Sequence, residues 1–178
     1  RVLPEYEEFL EEFPTFETLA KASDIRLLKI WSGLGYWRRA KYLKETAQKN
    51  PRINRTINRT ILETFPGIGP YTARAVMCFA LNSTEAFLDT NIRRVYLHFF
   101  FSKKEHVSDK EILKIAQQAI DTLPKSVTPR EWHYALFDYG AVELKDKSIN
   151  QRSRHYAKQS KFNDSFRSYR TKAMRYIL

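Results

Sequence analysis

Two features of the 178-residue sequence carry residue types suited to chemistry: the run Phe65-Pro66-Gly67-Ile68-Gly69-Pro70-Tyr71-Thr72, and Asp89, eight residues beyond the apolar run that ends at Leu81. Gly67 and Gly69 permit a sharp reversal between two helices. Pro70 suits the first position of the second helix, where its missing N–H costs nothing. The opening amides of that helix then lack intrahelical acceptors and sit at its positive end, which suits a phosphate. Main-chain donors see every phosphate alike, so such a hairpin holds a nucleic-acid backbone without reading bases. The same residues would also serve an ordinary helical hairpin, with Asp89 capping the helix that begins TNIRRV. Glu85 and Asp138 are weaker carboxylate candidates, and Asp138 is expected to cap or pack within the turn FDYGA.

The surrounding segments sharpen this reading. FPGIGPYTARAV (65–76) followed by FLDTNIRRV (87–95) resembles the hairpin and catalytic segment of the helix-hairpin-helix DNA glycosylases, the superfamily that includes endonuclease III. Upstream, FPTFETLAKAS (13–23) and WSGLGYWRRAKYL (31–43) are most similar to its adenine DNA glycosylase, MutY-like, branch. These matches recur in order over roughly residues 2–144.

The resemblance implies a mechanism. A glycosylase must first extract its base, because the bond it breaks is hidden in the stack. Breaking that bond builds positive charge on the sugar, which an adjacent ionised carboxylate stabilises. By resemblance Asp89 is the catalytic aspartate. Tyr36 is the intercalating tyrosine, beside Arg38 and Arg39 for phosphate contacts, and Pro66, Gly67, Ile68, Gly69, Tyr71 and Thr72 grip the backbone. Bifunctional members carry at position 71 a lysine that forms a Schiff base with the sugar. Here that residue is Tyr71, and a phenol forms no imine, so base removal without lysine-based strand cleavage is expected, with Tyr71 in the lesion pocket. The expected substrate is adenine opposite guanine or 8-oxoguanine in double-stranded DNA. Thymine removal from T/G mismatches is the alternative, and a non-catalytic DNA-binding module is a second.

Two departures from the family stand out. Most relatives place four cysteines after the segment matching FDYGA and bind a [4Fe–4S] cluster. The corresponding positions here are Leu144, Gln151, Arg154 and Ser160, so no cluster and no other cofactor is expected. Adenine glycosylases also carry, before the point where this sequence opens, a glutamate that protonates adenine and a Gln-Gln-Thr segment. Glu7, Glu8, Glu11 and Glu12 lie on a later helix and do not fill that role. The family's C-terminal 8-oxoguanine-reading domain is likewise not expected within these residues.

The elements that must position these residues follow from periodicity. Apolar residues recur at helical spacing and alternation never persists, so the fold is read as all-α: a helix-hairpin-helix glycosylase fold with two helical lobes and a DNA cleft between them. The lobes are expected at 22–123, containing the hairpin, and at 1–21 with 124–178. Tyr6, Phe9, Leu10 and Phe13 form the apolar side of a first helix that Pro14 stops. Asp24 is expected to cap a helix whose Ile25, Leu27, Leu28, Ile30 and Trp31 enter the core, and Tyr36 to open the next. Residues 50–60 read as a polar connector. Ile92, Val95, Tyr96 and Phe99 mark a helix with Arg93 and Arg94 exposed. Ser108 with Glu111, and Thr128 with Glu131, form capping boxes. Asn163 or Asp164 starts a last basic helix.

Composition agrees with a nucleic-acid partner. The net charge of +11 predicts salt-dependent binding to a polyanion. Residues 1–20 hold six acids against one base, and residues 143–178 ten bases against three acids. The one cysteine, Cys78, excludes an internal disulfide and reads as a buried thiol. No membrane span or secretory signal is visible, so a monomer inside the cell, in the cytoplasm or nucleoid, is expected.

Overall fold

The computed structural model describes residues 2–50 and 57–156. Most of the connector within 50–60 and the basic helix after Asn163 lie outside them. The described residues fall into α1 (Val2–Glu12), α2 (Phe16–Lys21), α3 (Asp24–Ile30), α4 (Arg38–Lys49), α5 (Arg59–Glu63), α6 (Pro70–Leu81), α7 (Thr90–Phe100), α8 (Asp109–Asp121) and α9 (Pro129–Asp138). A π-helical turn (Tyr139–Glu143) and a 3-10 turn (Lys147–Arg152) follow. Among the described residues the sole extended pairing is an isolated parallel bridge between Val107 and Ser153, so the fold is all-α.

These helices belong to two compact units that divide between Ile68 and Gly69. That boundary runs through the hairpin, unlike the lobes drawn from the sequence at 22–123 and at 1–21 with 124–178. In the first unit α2 packs on α4, which ties the N-terminal helices to the element before the hairpin. Its core gathers Phe13, Leu19, Leu27, Ala40 and Ala47. The expected apolar stripe of α1 is only partly used: Phe13 is buried, whereas Tyr6 and Leu10 are exposed. Ile25, expected in the core, is 75% exposed, because α3 turns Leu27 inward instead. Ser23, not Asp24, caps α3 through its hydroxyl and the Arg26 amide, 3.2 Å apart. That leaves Asp24 to pair with Lys44 at 2.5 Å.

The second unit is built around α7. Phe87, Ile92, Leu97 and Ile112 are among its fully buried side chains, each contributing about 1.5–3 kcal/mol through area removed from water. Both predicted capping boxes form, with reciprocal bonds at Ser108 and Glu111 and at Thr128 and Glu131. Lys104 and the Ser108 groups hold the Glu111 carboxyl down at about 2. Phe99, expected inward, is exposed, because α7 buries Val95, Tyr96 and Leu97.

Candidate nucleic-acid interface and carboxylate site

The hairpin forms where the glycines predicted it. Gly67 sits at φ 76°, in the left-handed region, and a Cβ there would collide with the Tyr42 ring, so both backbone and packing require glycine. The Ile68 amide is spent on the Phe65 carbonyl at 3.1 Å. Beyond it, Gly69 precedes α6 with no side-chain cap and Pro70 occupies its first turn. The first main-chain bond of α6 runs from the Ala73 amide to the Gly69 carbonyl, 2.9 Å. Among the described residues the amides of Tyr71 and Thr72 have no backbone acceptor, which leaves donors for an anion at the positive helix end.

Asp89 ends the segment Ala86-Phe87-Leu88, whose three side chains are buried and therefore fix its position. Its Oδ1 accepts from the Ile92 amide at 2.7 Å, making it the N-cap of α7. Asp89 as a residue is half-buried, not sealed in the core. Tyr71, 47% exposed, rests edge-on against Phe87 with ring centroids 5.9 Å apart. Burial first, and the nearby negative charge of Asp89 second, push the Tyr71 phenol pKa upward, so Tyr71 stays protonated beside the carboxylate. The second unit thus brings Tyr71, Thr72 and Asp89 to the start of two helices. Glu85 pairs with Arg74 at 2.7 Å, and Asp138, exposed at the end of α9, makes no cap hydrogen bond.

Tyr36, Arg38 and Arg39 belong to the first unit. Tyr36 does not open a helix, as expected, but stands in the loop before α4 at φ 50°, and is 65% exposed. A bulky residue in the left-handed region is strained and persists only where its surroundings enforce it. Here the Trp31 indole N–H donates to the Gly35 carbonyl at 3.0 Å, and the Arg39 guanidinium donates to the Leu34 carbonyl at 3.2 Å. That guanidinium also lies 5.5 Å from the Trp31 ring centroid and 5.3 Å from that of Tyr36. The loop therefore presents an aromatic ring to solvent on a braced support. Arg38 is exposed beside it.

Arg94 overturns its expectation most clearly: it is 3% exposed. Its Nη1 donates to the carbonyls of Gly140 at 2.6 Å and Leu144 at 2.9 Å, and its Nη2 to Asn91 Oδ1 at 3.2 Å. With the Asn150 amide oriented by its neighbours, its nitrogen donates to the Thr90 carbonyl (3.2 Å) and its oxygen accepts from Arg94 Nε (3.3 Å). Arg93 pairs with Asp109 at 2.8 Å. Sequence reasoning missed this centre, since main-chain acceptors leave no pattern of side-chain types. Gly140 did carry a signal, as a glycine inside an apolar helical run: a Cβ there would lie 2.5 Å from the Asn91 carbonyl oxygen.

This region is also where the resemblance places cluster ligands. Leu144 is buried in the core, Gln151 is exposed, and the Arg154 amide donates to the Val107 carbonyl at 2.9 Å. None supplies a thiolate, so the donor set does not fit an iron–sulfur cluster. Ser160 lies outside the described residues. Apolar packing and Arg94 order the segment instead. Cys78 is buried in α6, its sulfur 3.4 Å from His133 Nδ1. No helix among the described residues is long and apolar enough to cross a membrane.

Residues 1–121 match the HhH-GPD superfamily of base excision DNA repair proteins. The sequence is 31% identical over 144 residues to the adenine DNA glycosylase of Buchnera aphidicola, covering 79% of this chain and 40% of that protein. It is 35% identical over 145 residues to that of Mycobacterium tuberculosis, covering 80% of this chain and 47% of the relative. The chain thus spans less than half the length of these curated relatives. Among solved structures, a thermostable thymine-DNA glycosylase superposes with a TM-score of 0.65 at 27% identity, covering 78% of this chain and 65% of the other.

Proposed function

The chain belongs to the HhH-GPD superfamily of base excision DNA repair proteins, and we propose that it is a DNA glycosylase that hydrolyses the N-glycosidic bond of adenine paired with guanine or 8-oxoguanine. The observation that carries this reading is the half-buried Asp89 at the N-cap of α7, near enough to Tyr71 in the first turn of α6 for its charge to help raise the pKa of the phenol. In this proposal the Tyr71 and Thr72 amides hold a backbone phosphate while the target nucleotide leaves the stack. Tyr36 enters the space left behind, with Arg38 and Arg39 on flanking phosphates. As the bond to adenine lengthens, positive charge grows on the sugar and the Asp89 carboxylate stabilises it. Water supplies the oxygen that replaces the base, leaving an abasic site. With a phenol at position 71, no imine forms and the strand is not cut by a lysine. The protein acts as a monomer on double-stranded DNA inside the cell.

Base release from duplexes with A/8-oxoguanine, A/G and T/G pairs tests this. Asp89→Asn keeps the cap oxygen and the shape but loses the charge. Release should fall by about 10²-fold or more while duplex affinity holds. Unchanged release would falsify the catalytic assignment. A second reading, thymine removal from T/G pairs, is favoured by the likeness to the thymine-DNA glycosylase structure, and the T/G duplex decides it. Binding without release from any duplex would leave a DNA-holding module.

A further inference from the structure

Asp89 ends a stretch, residues 82–89, that joins α6 to α7 without helix or strand. Thr84, Ala86, Phe87 and Leu88 make no main-chain hydrogen bond to another main-chain group among the described residues. Such a segment must find its donors and acceptors elsewhere. Gln117, on α8, supplies one of each. Its Oε1 accepts from the Ala86 amide at 3.0 Å, and its Nε2 donates to the Thr84 carbonyl at 2.9 Å. In extended chain the carbonyl of one residue and the amide two further on face the same side, so one side-chain amide can serve both. Nε2 also donates to Asp121 Oδ1, one turn along α8, at 2.9 Å. That bond fixes which end of the amide faces Ala86 and which faces Thr84. From Ala86 the buried Phe87 and Leu88 lead to Asp89, whose Oδ1 holds the Ile92 amide.

We propose that Gln117 is a positioning residue for base release: its amide sets the main chain at Thr84 and Ala86 so that the Asp89 carboxylate meets the sugar of the target nucleotide. This rests on the reading of Asp89 as the catalytic carboxylate. Gln117 itself touches no reacting atom. The apolar contacts of Phe87 and Leu88 hold the segment against the core, but such contacts have no direction and do not fix where along its length the chain sits. Two directional bonds from one oriented amide do. The segment is thus held on both sides of the carboxylate, at Ala86 by Gln117 and at Ile92 by the cap. A shift of about 1 Å at a reacting group costs on the order of 10²-fold in rate, so loosening one of the two ties should show in the chemical step.

Gln117→Met keeps the length of the side chain and removes both polar ends. The test reads single-turnover base release from an A/8-oxoguanine duplex at saturating protein, and affinity for a duplex carrying a tetrahydrofuran abasic residue, which has no base to release. Release should slow by about tenfold or more while that affinity stays within about twofold of wild type. In an Asp89→Asn background the same substitution should change the residual rate by less than about twofold, because the carboxylate it positions is already gone. A role confined to stability would lower the urea midpoint and leave release per folded molecule unchanged. Wild-type release from folded Gln117→Met, or a full tenfold loss added on top of Asp89→Asn, would therefore overturn the assignment. Asp121→Ala frees the amide from an exposed position and should slow release by roughly two- to fivefold. If Gln117→Met does not fold, wild-type release from Asp121→Ala overturns the assignment in its place. The two readings fail separately: slow Asp89→Asn beside an unimpaired Gln117→Met sinks the positioning role alone, whereas undiminished release from Asp89→Asn removes the catalytic carboxylate and Gln117's role with it.

Discussion

Arg94 Nη1 lies 2.6 Å from the carbonyl oxygen of Gly140, and through that contact the helix beginning at Asp89 and the turn closing α9 share one buried cation. The same guanidinium reaches Leu144, Asn91 and, through Nε, Asn150, so four residues around α7 depend on one side chain. Charge-assisted bonds to carbonyls in a dry setting are stronger than neutral ones, and their loss strands the acceptors.

Arg94→Leu should therefore destabilise the protein by about 3 kcal/mol or more, since it leaves two buried carbonyls without donors. Arg94→Lys keeps the charge but not the fork, and should recover only part of that loss. Urea denaturation with a common slope measures both. A change under about 1 kcal/mol for Arg94→Leu would show that Arg94 does not hold the segment.

Gly140→Ala tests the same junction from its other side. A methyl group 2.5 Å from the Asn91 carbonyl oxygen must push the first turn of α7, and Asp89 with it. The expected cost is about 1–3 kcal/mol, and base release should slow as the carboxylate shifts. Gly69→Ala meets nothing within 4 Å and should stay within about 1 kcal/mol of wild type.

What the sequence disclosed and what it withheld divide along the range of the interactions. Capping at Ser108, Thr128 and Asp89 spans three residues, and all three caps form as the motifs implied. Gly67 was legible because a left-handed turn needs it. Arg94 was misread as exposed because its acceptors lie 46 and 50 positions away on the main chain. Ile25 and Phe99 were misread because an apolar side chain at helical spacing records a face and not whether a neighbour covers it.

Tyr71 feels the charge of the carboxylate that is proposed to serve the sugar, and an amine placed there is expected to reach the same carbon. Tyr71→Lys is expected to form an imine with abasic DNA that borohydride traps as a covalent adduct, while wild type forms none. Tyr71→Phe keeps the contact with Phe87 and should retain most base release. A trapped adduct from wild type, or none from Tyr71→Lys protein that folds and binds DNA, would contradict the placement of this residue at the reacting sugar.

His133 gives the stability a pH dependence whose sign is fixed. The ring is buried, stacked on Phe87 with centroids 4.3 Å apart, with Nδ1 2.7 Å from the Pro129 carbonyl. Burial lowers its pKa below the ordinary 6.5, partly offset by the Pro129 bond, so the folded protein keeps the ring neutral where the unfolded chain takes up a proton. The unfolded state then binds more protons as pH falls below 6.5, and stability must drop through that window until the folded ring also titrates. Glu111 works further down: its carboxyl, held at about 2, stabilises the fold above its ordinary 4.5 and gives that stability up as pH falls toward 2. Denaturant midpoints from pH 7.5 to 5 should thus decline in wild type and flatten in His133→Asn, which is less stable overall but has no ring to protonate. A wild-type curve flat across that range would mean that the ring is charged in the fold, and would contradict its sealed position between Phe87 and Cys78.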